Sequence, residues 1–431
     1  MNDTSESEAI GLSIETKAIV ISIGVCIFVI GSLLLWVFSR DTWESDNAQK
    51  IIKICNNIEF SSEENDIEEI IEQNKQLTLL IGSREIKDKS LLNAINKATK
   101  IAKDYVSKND VAFKDAQLLY DKGMMELRQD NWYAAITYFQ KSTKNNLNND
   151  DAWFQIGYCY DKLGLYQEAI EAYKEVIRIK PDNAEAYNNL GTTYIKYGSD
   201  WEAMVALMRC ISIEPNNSVA HYNLGIVYCN RDQYQESIEA YKQAIKIKAD
   251  YAEAYCALGN VYFKIDRIDD AVEAYKQAIK IKADYAEAYC ALGNAYFKID
   301  RINDAVEAYK QAIKIKADYA EAYCALGNTY FELGRFEDAI EAFTQAIKIK
   351  QDYSYAWLRV GCCCYKLKQY QDAAAACNAA VKIKPNLTVT HYALGLTHLM
   401  LGDNNSALKE YKILMTLDAE IAKELLDLIY K

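Results

Sequence analysis

AEAYCALGNVYFKIDRIDDAVEAYKQAIKIKADY (residues 252–285) is followed without a break by AEAYCALGNAYFKIDRINDAVEAYKQAIKIKADY (residues 286–319). The two 34-residue copies differ only at Val261 against Ala295 and Asp269 against Asn303, the mark of a recent duplication. The same period runs nine times from Ala116 with no residue inserted or lost. With Asp150 counted as position 1, Trp153, Ile156, Gly157 and Tyr160 fall at positions 4, 7, 8 and 11. That spacing puts them on one face of a helix. Ala169, Tyr173 and Val176, at positions 20, 24 and 27, mark the inner face of a second helix. Between the two, position 15 is Gly164, Gly198, Gly334 or Gly402, or else Asp130, Asp232, Asp266 or Asp300, with Lys368 the exception. Gly and Asp tolerate the left-handed turn that ends a helix. Each repeat is therefore predicted to be a helical hairpin.

Glycine costs a helix about 1 kcal/mol, yet it holds position 8 in every repeat from Gly123 to Gly395. Close approach of the second helix at that point is the predicted reason. The chain's three prolines, Pro181, Pro215 and Pro385, all stand at position 32, where a missing amide and a clashing ring stop the second helix. Ala249, Ala283 and Ala317 replace them in the duplicated repeats, which predicts softer boundaries there.

Trp, Leu-Gly, Tyr, Ala, an aromatic and Pro, in that order and spacing, make residues 116–421 resemble a tetratricopeptide-repeat array. The resemblance implies an all-α fold: an α-solenoid in which helical hairpins stack as a right-handed superhelix, its concave groove lined by first helices. It also implies that the partners are other proteins. One hairpin cannot bury its own apolar face, so stacking supplies the core. Departures are local. Lys122 and Glu126 occupy positions 7 and 11 of the first repeat, and Cys364 and Cys377 replace aromatics in the eighth, so looser packing is expected in both. Residues 422–431, with Lys423, Glu424 and Asp427 among apolar neighbours, read as a capping helix.

Ahead of the repeats, an acidic tail (residues 1–17) precedes an uncharged run of 21 residues, Ala18 to Phe38. As a helix that run matches a hydrocarbon core of about 30 Å. A cleaved signal peptide competes with a retained transmembrane helix, but Asp3, Glu6, Glu8 and Glu15 stand where a basic leader would be. Lys17 alone precedes the run while Arg40, Lys50 and Lys53 follow it, which places the repeats on the cytoplasmic side. Eleven of the twelve cysteines follow the run, which suits a reducing compartment. Residues 39–115 form a juxtamembrane linker with two helical stripes, Ile67, Ile70, Asn74, Leu77, Ile81 and then Leu92, Ile95, Thr99, Ala102, Val106. A hairpin capping the array is the expectation, with a dimerising coiled coil as the other use of such stripes.

The sequence carries no phosphate-binding glycine loop, zinc-protease helix or nucleophile elbow. His391 and His398 lie seven residues apart on a helix, about 10 Å, too far to share one zinc. Cys362, Cys363 and Cys364 lack CxxC spacing. Cys256, Cys290 and Cys324 recur at position 5 on helices about 10 Å apart, beyond disulfide reach, so they are expected as free thiols. A net charge of −12 with no basic stripe argues against nucleic acid. No cofactor, metal or enzymatic activity is expected, since the non-repeat segment is too short for a catalytic domain.

On a helical wheel, positions 2, 5, 9, 12 and 13 lie opposite the predicted buried face. They give a ladder of Cys256, Asn260 and Phe263, then Cys290, Asn294 and Phe297, then Cys324, Asn328 and Phe331, while earlier repeats carry Asn189 and Asn223. Amides pair with the backbone of any extended segment, and exposed phenyls anchor it. The other reading of the Asn residues is a solvated face copied by duplication. The expected function is a membrane-anchored scaffold that binds extended or disordered protein segments and assembles a complex at the membrane. An accessory subunit of a membrane-bound enzyme or translocation machinery, or a self-assembling membrane coat, is the alternative. In a self-associating form, the groove of one copy would take residues 41–115 of another.

Overall fold

The computed structural model describes residues 111–430, and they are helices joined by short turns, with no strand among them. The helices are α1 (111–127), α2 (Trp132–Asn145), α3 (Asp150–Lys162), α4 (Tyr166–Ile179), α5 (Ala184–Tyr197) and α6 (Asp200–Ile213). Next come α7 (Ser218–Asn230), α8 (Tyr234–Ile247), α9 (Ala252–Lys264), α10 (Ile268–Ile281), α11 (Ala286–Lys298), α12 (Ile302–Ile315) and α13 (Ala320–Glu332). The array closes with α14 (Phe336–Ile349), α15 (Ser354–Lys366), α16 (Tyr370–Ile383), α17 (Thr388–Met400), α18 (Asn404–Leu417) and α19 (Ala419–Ile429). Odd numbers up to α17 are the first helices of the repeats and even numbers the second. The run Ala18 to Phe38 and residues 39–110 lie outside the described part. Among the described residues no helix is long and apolar enough to cross a membrane.

All nine turns at position 15 take a positive φ, the four glycines and four aspartates alike, and Lys368 adopts it too at 60°. The left-handed turn is thus a property of the repeat and not of the residue placed there. The chain divides after Leu163 into two bodies. In the first, Phe139 of α2 is fully buried and lies against Gly123 of α1, and the Ser142 hydroxyl donates to the Ala116 carbonyl (2.7 Å). Lys122 is exposed and Glu126 half-buried, so the polar departures of the first repeat sit in solvent instead of loosening a core.

In the second body each helix packs on its chain neighbours. The first helices of successive repeats also touch one another, from α5 with α7 through to α15 with α17, while contacts of the second helices are almost all with chain neighbours. Such a stack curves with its first helices inside. One buried cluster runs through it from Ile238 to Ala376. Its repeating element is an aromatic from the second helix lying against the position-8 glycine. A Cβ added to Gly259 or Gly293 would lie 2.6 Å from Cε1 of Tyr275 or Tyr309, both of which are 2% exposed. The eighth repeat differs from the loose packing expected of it. Cys364 and Cys377 are buried, and the Cys377 sulfur comes within 2.5 Å of the Cβ position of Gly361, because the smaller side chain lets the helices close on it. In the last repeat the atoms nearest the Cβ position of Gly395 all belong to Leu425 of α19. The capping helix fills the socket that a second-helix side chain fills elsewhere.

Candidate protein-binding face

The inner face of the second body is built from its first helices, and first-helix N-termini are closed mainly by one of two residues, with Leu387 before α17 a third case. α3, α5 and α7 start behind Asn149, Asn183 and Asn217, whose side chains accept from the amides of Ala152, Ala186 and Ala220 at 2.9–3.0 Å. α9, α11, α13 and α15 start behind Tyr251, Tyr285, Tyr319 and Tyr353, which make no such bond. Losing an Asn cap costs about 1 kcal/mol. The tyrosine gives something else in exchange: its ring lies over position 5 of its own repeat. Tyr251 lies beside Tyr222 with ring centroids 5.1 Å apart, and Tyr285, Tyr319 and Tyr353 lie beside the thiols of Cys256, Cys290 and Cys324.

That cover corrects the ladder expected from the wheel. Cys256, Cys290 and Cys324 are free thiols but only 6, 6 and 4% exposed, so they do not line the groove. Burial pushes Cys256 and Cys290 up to about 11 and Cys324 in the same direction. Phe263, Phe297 and Phe331 are half-buried and packed against the core rather than displayed. Lys298 of the next repeat sits 5.1 Å above the Phe263 ring and Arg359 sits 4.1 Å above Phe331. The phenyls belong to the seams between repeats.

The amides keep their place on the face. Asn260 and Asn294 are exposed, and each Oδ1 accepts the hydroxyl of the buried tyrosine on its own second helix, Tyr275 and Tyr309, at 2.8 Å. The acceptor is thereby occupied and the Nδ2 hydrogens have no protein partner among the described residues. In the next repeat position 24 is Phe343, which has no hydroxyl, and half-buried Asn328 accepts instead from Tyr355 (3.2 Å). Asn223 is different: 7% exposed, it donates to Asn188 Oδ1 (3.3 Å) and Thr192 Oγ1 (3.0 Å), and Asn188 in turn donates to half-buried Asn189 (3.4 Å). Asn223 thus joins α7 to α5 through Asn188 and Thr192, while Asn189 only accepts from Asn188 on its own helix.

Four charge pairs border the face. Lys282 meets Glu253 (3.8 Å), Lys316 meets Glu287 (3.5 Å), Lys264 meets Asp232 (3.6 Å) and Lys298 meets Asp266 (2.6 Å). Exposed pairs of this kind contribute about 0–1 kcal/mol each, so they set the electrostatic balance of the face more than its stability. The sequence reading missed Arg359, whose Nε is buried without a partner between Phe331 and Phe343. Its replacement of the Ala257, Ala291 and Ala325 found at the same position was the available signal. Among the described residues no group of His, Cys, Asp or Glu could hold a metal ion. His391 has an acceptor at each ring nitrogen, Glu410 Oε2 and the Pro385 carbonyl, both at 2.6 Å, which fixes it in the core of the last repeat.

Two family patterns agree with this architecture. The family pattern of the cilia and flagella-associated protein 70 C-terminal domain matches residues 66–322, and a tetratricopeptide-repeat pattern matches residues 324–387. No curated protein matches the chain. Among solved structures, MamA is 33% identical over 38% of this chain and 97% of its own, with a TM-score of 0.36. YrrB, described as a tetratricopeptide-repeat protein with an unusual peptide-binding site, is 20% identical over 43% of this chain and 96% of its own, with a TM-score of 0.37. PilW, a type IV pilus biogenesis factor, is 19% identical over 48% of this chain and 96% of its own, with a TM-score of 0.44.

Proposed function

Because the chain belongs to the tetratricopeptide-repeat family of the cilia and flagella-associated protein 70 C-terminal domain, we propose that it is a non-enzymatic scaffold that holds extended protein segments along the face of its first helices. The observation that supports this most is the pair of Asn260 and Asn294, whose Oδ1 atoms are held by Tyr275 and Tyr309. A side chain anchored through its acceptor is a donor of fixed direction. Packed first helices stand about 8–10 Å apart, and a segment in polyproline II form turns once every three residues with a rise of about 3.1 Å each, so every third carbonyl of such a segment meets one amide. Asn328 continues the row.

Replacing Asn260, Asn294 and Asn328 by Asp keeps the acceptor that each tyrosine needs and removes the donors. Peptides selected from a random display library on the full chain are expected to bind the triple variant on the order of a hundredfold more weakly, three hydrogen bonds at about 1 kcal/mol each. Selected peptides that bind both proteins equally would refute the reading.

In the same proposal, residues 18–38 tether the scaffold to a membrane with the repeats on the cytoplasmic side, where it would assemble a complex. Added to intact cells, protease should leave the repeats whole until the membrane is permeabilised. Cleavage before permeabilisation would put the array on the opposite side.

A further inference from the structure

Positions 18, 22 and 25 of the second helices point to solvent and are mostly polar, as in Gln167, Glu171 and Lys174 on α4, Gln235, Glu239 and Lys242 on α8, and Asp269, Glu273 and Lys276 on α10. Tyr133 on α2 and Ala375 on α16 are single departures, and only on α6, among the described residues, are all three positions apolar. On α6 the same positions are Trp201, Val205 and Met208, exposed by 58, 53 and 52%. Spaced by four and three residues, they form a single stripe. The core of that repeat does not need them, since Ala203, Leu207 and Cys210 on the opposite side of α6 are fully buried.

The flank of the stripe says what covers it. Glu202 and Arg209 are both exposed and seven residues apart, so they lie on the same side of the stripe at its two ends. The matching pairs are Glu168 and Glu175 on α4, Glu236 and Gln243 on α8, and Asp270 and Gln277 on α10, none of opposite charge. When two copies of a helix pair antiparallel about a two-fold axis, residues on one flank meet their own kind from the other copy, end to end. Centred on Val205, that arrangement sets Glu202 against Arg209 of the partner subunit and Trp201 against Met208 of the partner subunit, and then both again by symmetry. The flank of the stripe is complementary to itself in charge.

We propose that α6 is the contact surface of a homodimer, joined antiparallel through Trp201, Val205 and Met208 with Glu202 and Arg209 setting the direction. A 14-residue helix is about 21 Å long, and a contact confined to it falls below the roughly 1,200 Å² of standard interfaces. The dimer is therefore reversible, with a mass that depends on concentration.

Sedimentation velocity of the full chain in a density-matched detergent tests this over a concentration series. The wild-type mass should rise toward twice the monomer, while Val205→Glu and Trp201→Glu should stay monomeric throughout with unchanged helicity, their positions being exposed. Glu202→Arg should weaken association about tenfold. The double reversal Glu202→Arg with Arg209→Glu should restore it, which no purely structural role would do. A wild type monomeric at every concentration would leave the stripe to a different partner and overturn the proposal. So would a dimer indifferent to Val205→Glu, or a double reversal no tighter than the single change.

Discussion

Above about pH 9 the array is expected to lose stability steeply. Cys210, Cys256 and Cys290 are pushed up to about 11 and Cys363 and Cys377 to about 12, in each case chiefly by burial, from an ordinary value near 9. In the unfolded chain these thiols ionise near pH 9, while in the folded chain they keep their protons. Between pH 9 and 11 the native state therefore binds more protons than the unfolded one, and stability falls as pH rises through that window. Each thiol contributes on the order of 2 kcal/mol to the loss. Several together rival the roughly 5–15 kcal/mol by which a domain is stable. Buried tyrosines extend the decline, Tyr251 standing at about 12 against an ordinary value near 10. Urea unfolding followed by circular dichroism at stepped pH measures it. Cys256→Ala with Cys290→Ala should move the onset upward, and a profile flat to about pH 10.5 would contradict the mechanism.

Tyr309→Ala is the single substitution expected to do most damage. The ring is 2% exposed, lies on Gly293 and holds Asn294. Removing it opens a large cavity at a point where glycine leaves no side chain to fill it, at a cost of about 3–5 kcal/mol. Tyr309→Phe separates the ring from its hydroxyl and should cost only about 1 kcal/mol, as the natural Phe343 of the next repeat suggests. Because repeat arrays are stabilised between nearest neighbours, the Ala variant should show fast hydrogen exchange in α11 and α12 first, with α17 to α19 protected. Uniform loss of protection across the second body would mean that the array unfolds as one block.

The fold was legible because nine copies of one pattern leave little room for a competing reading, and position 15 shows how far this goes. Even Lys368, the residue least suited to a left-handed turn, takes it. The binding face was legible only in part. A helical wheel knows the neighbours of a residue on its own helix. The side chain that covers Cys256 is Tyr285, at the far end of the repeat, where a first-helix cap would ordinarily stand. Nothing in the spacing of α9 announces it. The amides came through because their partners, Tyr275 and Tyr309, approach from the core and leave the outer edge open. Trp201, Val205 and Met208 stood out only as three apolar residues together on a face that is mostly polar in the other repeats, a departure from the period that the period itself does not announce.

Leu425 carries a consequence for how such a protein changes over generations. Every earlier glycine socket seen in the second body is filled from within its own repeat, whereas that of Gly395 is plugged by the capping helix. A new hairpin appended behind α18 would have to evict that plug and would leave an unmatched apolar end exposed. A hairpin spliced into the interior meets the same surface on either side and disturbs nothing. The array is thus free to lengthen from its middle and closed to growth at its tail, and its two most alike copies, 252–285 and 286–319, lie in the interior.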